Sequence, residues 1–381
     1  MLSPQERLSQ QELQRRHDLV RKRMKEKNLE LLLVSGIRFV AAAGYLRYLT
    51  NWAEPFGGEV LIFPRNEPSI FLARTAERAL VVKKFLDLQA IAGSTAADAA
   101  AVLKKMRCSR VGLCGLKTML AEFYVQLTTA LPDVEFVDAS SILDEARWIK
   151  SQEELTWVKK SADLTDIAFQ EFSRLVDTGR SESDVFNEVE SIVKQRGAEN
   201  TYFMMSADPK PLAKFLDLAF GTYKRGDLII FNAEISGPGG YFTQLERTLS
   251  IGPASKQAEA AYSVCVKALE AGTALLRPGQ TARSVYRAIR ASIENGGYKM
   301  GLHPGHSQGL DIFERPAIDE KEEAQLEAGM IIVLHPHVLL PEGGGVWIGE
   351  TFLVTNDGPY ALHKSSRELK VIDVSRTPRG Q

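Results

Sequence analysis

Four of the six histidines in the chain lie in two short stretches near its C-terminal end. His303 and His306 belong to GLHPGHSQG, and His335 and His337 belong to VLHPHVLLPEGGG. Imidazole is the side chain that most readily carries a proton near neutral pH, and it is also a common metal ligand. The clustering therefore predicts acid–base or metal chemistry in this half of the chain.

A third stretch, DLIIFNAEISGPGGYFTQLERTLSIG, has the alternating pattern of two β-strands joined by a glycine-rich turn. Alternation places Gln244 and Glu246 on one face of the second strand, and it likewise pairs Asn232 with Glu234 on the first. Taken alone, Glu246 in such a strand is more often an exposed carboxylate that pairs with a neighbouring base such as Arg247. The alternative is that Glu246 shares a buried site with Gln244, and the surrounding residues decide between the two interpretations.

Composition limits the class of protein. With 381 residues, 44% of them hydrophobic, the chain is long enough for two globular domains with separate cores. A net charge of −1 without a basic block argues against nucleic acid or a membrane surface as partner and favours a small molecule. The three cysteines form no CxxC pair, and no charged-then-apolar leader is visible, so we expect a cytoplasmic protein. No apolar run reaches the roughly 20 residues of a membrane-spanning helix.

Strand and helix patterns alternate along the first part of the chain. Residues 5–28 have the pattern of a charged helix, and short apolar runs alternate with helical segments after it, which is typical of an α/β layer. Long amphipathic helices begin near Ser151, and Ser181 with Asp184 has the spacing of a helix start. We therefore predict an N-terminal α/β domain over residues 1–148 and a second domain over 149–381.

The three chemistry-bearing stretches, in this order, resemble the C-terminal half of the pita-bread family of creatinase, prolidase and aminopeptidase P. The resemblance predicts an α/β N-terminal domain followed by an α+β pita-bread catalytic domain. Metallopeptidases of this family hold two metal ions with two aspartates, one histidine and two glutamates. Those positions fall on Asn232, Gln244, His306, His335 and Gly349, which carry no negative charge, so the resemblance predicts that the dinuclear metal site is lost.

Within the family, the segments NAEISGPGGYFTQLERTL, EPFGG, GHS and LLPEGGG look similar to creatinase, a metal-free hydrolase. This likeness predicts a metal-independent enzyme without a cofactor that acts on a C–N or related bond by hydrolysis or elimination. The general base of creatinase falls on Phe215, so creatine itself is not the expected substrate. His306, His335 and Glu246 are the predicted catalytic residues, because a carboxylate beside an imidazole orients it for proton transfer.

A second set of residues is predicted to bind the substrate, namely Asn232, Gln244, Phe215, Phe313, Trp347, His303 and His337. Its aromatic members predict a pocket with less charge than that of a dipeptidase, suited to an aromatic or uncharged substrate. His303 and His337 could equally lie outside the site. Glu350 is not expected to replace a ligand at Gly349, because adjacent strand residues point to opposite faces unless a bulge intervenes.

Two other functions remain open. One is a single-metal, Xaa-Pro-peptidase-like metallohydrolase, with one zinc or manganese ion on His306, His335, Glu246 and Glu234. The other is a non-catalytic pita-bread protein that binds a partner. The resemblance also implies a homodimer in which arginines of the N-terminal domain, among them Arg47 and Arg74, reach the partner's site.

Overall fold

The computed structural model describes residues 8–35, 43–53, 58–86, 88–211, 221–341 and 343–373. These residues form two compact units. The first contains the described residues up to Trp148 together with Gly309–Glu314, and the second contains Ile149–Gln308 and the described residues from Arg315 onwards. No helix in these ranges is both long enough and apolar enough to cross a membrane.

The first unit is a six-stranded sheet with helices. Its strands are β1 (Leu31–Ser35), β2 (Val60–Pro64), β3 (Ile70–Ala73), β4 (Gln89–Ala92), β5 (Arg110–Cys114) and β6 (Glu135–Asp138). Its helices are α1 (Gln10–Glu26), α2 (Ala43–Thr50), α3 (Ala76–Leu86), α4 (Ala96–Met106), α5 (Ala121–Ala130) and α6 (Ser140–Ala146). The strand order is β4-β3-β2-β1-β5-β6, with antiparallel pairing only where β2 meets β1 and β3.

Short apolar strands explain this sheet. All residues of β2 and the first four of β1 are buried, because helices cover the sheet and leave little of these strands to solvent. Leu31, Leu33, Val60 and Ile62 pack with the alanine-rich face of α4 and with α5. The first helix begins at Gln10, where the Ser9 side chain accepts a hydrogen bond from the Glu12 amide and caps it, and the predicted helical residues 5–7 lie outside the described ranges.

The second unit carries four helices and twelve strands in its described part. The helices are α7 (Gln152–Leu175), α8 (Glu182–Gln195), α9 (Lys256–Thr273) and α10 (Ala282–Asn295). The strands are β7 (Asn200–Asp208), β8 (Leu228–Ser236), β9 (Phe242–Ile251), β10 (Lys299–Met300), β11 (Gly305–Ser307), β12 (Glu314–Ala317), β13 (Ile331–Leu334), β14 (His337–Leu339), β15 (Gly345–Trp347), β16 (Glu350–Thr355), β17 (Gly358–Ala361) and β18 (Lys370–Ile372). They form sheets of order β18-β9-β8-β7, β12-β11-β13-β16-β17 and β10-β14-β15.

Helix α7 holds the β8–β9 hairpin in place. Its N-terminus is a capping box of Ser151 and Glu154, and the Tyr241 hydroxyl donates to the same Glu154 carboxylate at 2.7 Å. The Ser161 hydroxyl donates to the Tyr241 carbonyl at 2.6 Å and accepts from the Gly237 amide at 2.9 Å. The turn between the two strands is therefore anchored on the helix, which fixes the register of the strands.

Apolar side chains complete this anchoring. Phe172 of α7 stacks on Phe231 of β8 with ring centroids 4.1 Å apart, and Phe203 of β7 stacks on the same ring. Ser181 caps α8 by accepting from the Asp184 amide, as the sequence predicts. One face of the hairpin is thus covered by helices, and the polar side chains of the hairpin lie on the other face.

Candidate active site

The β8–β9 hairpin presents four polar side chains on one face. Asn232 lies directly opposite Glu246, and Glu234 lies directly opposite Gln244, in the antiparallel register of the two strands. All four are buried, with at most 4% of each side chain exposed. Side chains opposite each other in such a pair are close neighbours, so two carboxylates and two amides share a small volume.

Each amide nitrogen in this group is directed to a carboxylate. The Asn232 amide donates to Glu234 at 3.1 Å, and the Gln244 amide donates to Glu246 at 2.8 Å. Gln308, which follows β11, donates to the second oxygen of Glu234 at 3.3 Å. The carboxylates therefore determine which way the three amides point.

This orientation leaves four buried oxygen atoms without a partner. They are Asn232 Oδ1, Gln244 Oε1, Gln308 Oε1 and Glu246 Oε2, which have no hydrogen bond within the described part of the chain. We call these four atoms the oxygen cluster. Buried acceptors are normally satisfied, so the cluster indicates a binding site for a cation or for a group with several donors.

Gly349 lies beside the oxygen cluster and makes room for it. Its amide and carbonyl exchange hydrogen bonds of 3.0 Å with the backbone of Glu246, which places position 349 next to Glu246 on the neighbouring strand. A Cβ atom at Gly349 would lie 2.9 Å from the His335 Cβ and 3.0 Å from Glu246 Oε2. The missing side chain thus allows Glu246 and His335 to approach each other.

Three imidazoles lie beside one another in the second unit. The ring centroid of His335 is 5.2 Å from that of His306 and 5.3 Å from that of His303, and the remaining pair is 6.1 Å apart. His306 and His335 are buried, whereas His303 is exposed to solvent. His306 Nδ1 is 2.9 Å from the carbonyl oxygen of its neighbour Ser307, which orients the ring. The three histidine rings therefore connect a buried site with the surface.

Burial shifts the pKa values of these groups away from their charged forms. It raises the pKa of Glu234 to about 8, and burial together with the negative charge of Glu234 raises the pKa of Glu246 well above its ordinary value. Burial, with the neighbouring His306 and His303, lowers the pKa of His335 well below its ordinary value. Among the described residues no cation is close enough to offset the burial of the two carboxylates, and a bound cation would reverse the shift of their pKa values.

Arg247 supports the backbone of the site and does not pair with the Glu246 carboxylate. Its Nη1 donates to the carbonyls of Glu246 and Gly349 at 2.8 and 2.9 Å, and its Nη2 donates to Glu350 at 2.6 Å. Arg367 donates to the other oxygen of Glu350, also at 2.6 Å. Burial alone would raise the pKa of Glu350, but the two arginines lower it overall. Glu350 is therefore held by the two arginines, as strand alternation predicts, and does not replace a ligand at Gly349.

His337 and Trp347 form a separate pair. They lie opposite each other in strands β14 and β15, with ring centroids 4.5 Å apart. His337 does not continue the line of His335, because β13 ends at Leu334 and β14 begins after Pro336. Burial lowers the pKa of His337 to about 4. The pair is an apolar wall with a neutral imidazole, and its predicted contact with substrate stays a prediction.

The family follows from comparison with known proteins. Residues 156–356, more than half of the chain, match the model of metallopeptidase family M24. The chain belongs to metallopeptidase family M24. Residues 16–149 match the creatinase/prolidase N-terminal domain. The predicted pita-bread family and its fold class, an α/β domain followed by an α+β pita-bread domain, are thereby confirmed.

Relatives and solved structures agree with this assignment. The chain is 27% identical over 336 residues to the uncharacterized peptidase YqhT of Bacillus subtilis, covering 86% of this chain and 93% of the relative. It is 29% identical over 239 residues to the Xaa-Pro dipeptidase of Pyrococcus furiosus, covering 62% and 68%. The prolidase structure from Pyrococcus horikoshii superimposes with a TM-score of 0.82 at 20% identity, covering 93% of this chain and 99% of that one. Dipeptidase PepE from Mycobacterium ulcerans gives a TM-score of 0.83 at 21% identity, with 97% and 100% covered.

These findings correct two predictions. A metal-independent, creatinase-like enzyme is wrong as the main function, and the absence of a cofactor is wrong as well, because the family is one of metallopeptidases and the relatives include Xaa-Pro dipeptidases. The physical reason lies in Glu234 and Glu246. The predicted loss of metal was based on the five matched ligand positions, and Glu234 and Glu246 were metal ligands only in the single-metal alternative. Both carboxylates are buried beside those positions.

Two of the predicted substrate-binding residues lie outside the described part of the second unit. Phe215 lies outside the described residues. Phe313 is 41% exposed and belongs to the first unit, so its predicted role in substrate binding stays a prediction. Gln308 was not among the predicted site residues, although it stands two residues after His306, a spacing that places both on one face of an extended segment.

Whether a metal ion fits this site depends on the side-chain atoms that could coordinate it. In the described ranges, no three side chains of His, Cys, Asp or Glu are already arranged to hold an ion. The oxygen cluster adds amide oxygens to a carboxylate, and amide and carboxylate oxygens are ligands for hard divalent cations. The residues present therefore fit one such ion when the amides are included.

Proposed function

We propose that the protein is a metal-dependent hydrolase with one divalent cation, which cleaves the amide bond of a small peptide or peptide-like molecule. The observation that carries the proposal is the pair of buried carboxylates, Glu234 and Glu246, without a cationic partner for either in the described residues. Two carboxylates balance the charge of one divalent ion. The Xaa-Pro dipeptidases among the relatives support a substrate with a prolyl bond.

A bound cation at these carboxylates would polarise the scissile carbonyl and lower the pKa of an attacking water. Glu246 would hold it through its free oxygen, and Glu234 lies in the same buried group. Burial keeps this region poor in water, which strengthens electrostatic interactions with the reacting groups.

The imidazoles supply the proton transfers in this proposal. His335 approaches Glu246 at Gly349, and His306 adjoins His335. A neutral imidazole can take a proton from water and return it to a leaving amine. His303 is exposed and adjoins both rings, so it offers a route for protons to solvent. Trp347 and His337 would face the apolar part of the substrate.

We also propose that the enzyme is a cytoplasmic homodimer with domains of residues 1–148 and 149–381. The family resemblance and the absence of CxxC pairs support these statements. Arg47 is buried, which makes it a poor donor to a partner, whereas Arg74 is exposed. Molar mass measured by light scattering, and partner-site complementation by an Arg74→Ala chain, test the assembly.

The test of function begins with protein stripped by a chelator and reloaded with Mn²⁺ or Zn²⁺. Hydrolysis of a dipeptide panel that includes Xaa-Pro sequences is followed by chromatography of the released amino acids. We expect activity only after reloading, and we expect His306→Ala and His335→Ala to lose at least a hundredfold while keeping the melting temperature. His17→Ala, which removes an imidazole of the first unit, is the control. Absence of bound metal and of hydrolysis with every ion would overturn the proposal.

A further inference from the structure

We infer that the cation is coordinated by oxygen alone, from Glu246 and from the amide groups of Asn232, Gln244 and Gln308, so that the site takes a hard divalent ion such as Mn²⁺ or Ca²⁺. The inference rests on the proposed function in one respect, the presence of a cation in this cavity. It goes further in assigning neutral amides as ligands and in leaving the histidines uncoordinated.

Hydrogen bonds establish the direction of each amide. Asn232 and Gln308 donate to the two oxygens of Glu234, and Gln244 donates to Glu246. Rotating any of these amides by half a turn would bring two oxygen atoms together and lose the hydrogen bond. The amide oxygens are therefore held away from the carboxylates that orient them, and a cation can use them.

The strand register places three of the four side chains next to one another on one face of the hairpin. Asn232 is opposite Glu246, and Gln244 precedes Glu246 by two residues on the same strand face. Gln308 is bonded to Glu234, which is opposite Gln244. Opposite side chains have Cβ atoms about 4.5–5.5 Å apart, so long polar side chains from these positions reach a shared point. Oxygen ligands of Mn²⁺ or Ca²⁺ need to lie within about 2.6 Å of that point.

One water molecule would satisfy only part of the cluster. Water has two protons to donate, whereas four buried oxygens lack a donor. A divalent ion can accept all four as ligands, and the charges of Glu246 and Glu234 together would balance it. Glu234 has both oxygens engaged by amides, so it acts as a positioning residue that orients two ligands.

The imidazoles do not form an alternative ligand group in the described structure. His306 and His335 contact each other and His303, yet they do not combine with one another or with a carboxylate into a group that could hold an ion. His306 also has its Nδ1 directed at the Ser307 carbonyl. In this inference the oxygens, and not the histidines, hold the ion.

The experiment titrates the stripped full-length protein with Mn²⁺ and records electron spin echo modulation. Coordinated imidazole nitrogen produces a characteristic ¹⁴N modulation, whereas amide and carboxylate oxygens produce none. We expect one Mn²⁺ per chain without imidazole modulation. Gln308→Met and Gln244→Met, which keep side-chain length and remove the oxygen, should each weaken Mn²⁺ binding at least tenfold. Gln126→Met is the matched control, since Gln126 also donates to a glutamate but lies exposed in the first unit.

The outcomes separate this inference from the proposed function. One bound Mn²⁺ with imidazole modulation, or unchanged affinity in both folded glutamine variants, overturns oxygen coordination and leaves a metal-dependent hydrolase in place. Circular dichroism identifies a variant that fails to fold, and Asn232→Asp then serves instead, because it keeps an oxygen at the same position. Oxygen coordination predicts that this variant binds Mn²⁺ at least as tightly as the original protein, and weaker binding contradicts it.

Discussion

Gly349→Ala adds one methyl group between the two parts of the site. The new Cβ would lie 2.9 Å from the His335 Cβ, 3.0 Å from Glu246 Oε2 and 3.1 Å from the Glu246 Cβ. Carbon atoms in contact normally lie about 3.5–4.0 Å apart, so Glu246 and His335 must move by about 0.5 Å or more. Gly349 has no positive φ, so alanine fits the backbone and the effect is one of packing alone. Overpacking of this kind costs about 1–3 kcal/mol.

If this free energy is lost from the arrangement that binds the cation, the dissociation constant rises about five- to 150-fold, since about 1.4 kcal/mol is a factor of ten. Titration with Mn²⁺ measures it, and urea unfolding measures stability. Gly112→Ala is the matched control, because its Cβ would lie 2.7 Å from the Ala139 Cβ and from Leu32 Cδ2, within the sheet of the first unit. We expect it to lower stability without changing affinity. Unchanged affinity in Gly349→Ala, or an equal change in both variants, would refute the reasoning.

Three further predictions concern stability. Arg247→Leu leaves Glu350 buried with one arginine fewer and should lower the free energy of unfolding by about 3–5 kcal/mol in urea, whereas the exposed Arg290→Leu should change it little. In the folded protein the pKa of His337 is about 4, so the unfolded chain binds more protons than the folded chain between pH 6.5 and 4. The free energy of unfolding should therefore fall by about 3 kcal/mol as pH falls through this window. His337→Phe should flatten this dependence of stability on pH. Tyr241→Phe removes the hydrogen bond to Glu154 and should cost about 1.5–3 kcal/mol, measured by the same denaturation, and an unchanged midpoint would contradict it.

Strand alternation made part of the site predictable. A period of two places Asn232 with Glu234 and Gln244 with Glu246, and the structure pairs them across the hairpin in that arrangement. The fold class was predictable because motif order and the change from short strands to long helices are properties of the chain itself. The opposite orientations of Gly349 and Glu350 followed from the same period.

Other features depend on contacts between distant segments. No local pattern reveals that Gln308 bonds to Glu234 or that Arg247 donates to the Gly349 carbonyl, 102 residues away. The need for glycine at position 349 follows from the approach of Glu246 and His335, which only the assembled sheets show. The metal-free prediction was wrong because it gave the five matched positions more weight than Glu234 and Glu246, which were metal ligands only in the single-metal alternative and which the structure buries on one face of the hairpin.

The pairing of amides with acids across the hairpin has a consequence for how this cavity can be altered. Asparagine and aspartate, like glutamine and glutamate, have nearly the same volume and differ by a single terminal atom. Asn232 faces Glu246 and Gln244 faces Glu234, so exchanging either amide for its acid adds one negative charge without repacking the core. The hairpin therefore keeps the same shape while its charge can change. Its capacity for cations depends on whether positions 232 and 244 carry an amide or an acid, and changing it requires no change of the backbone.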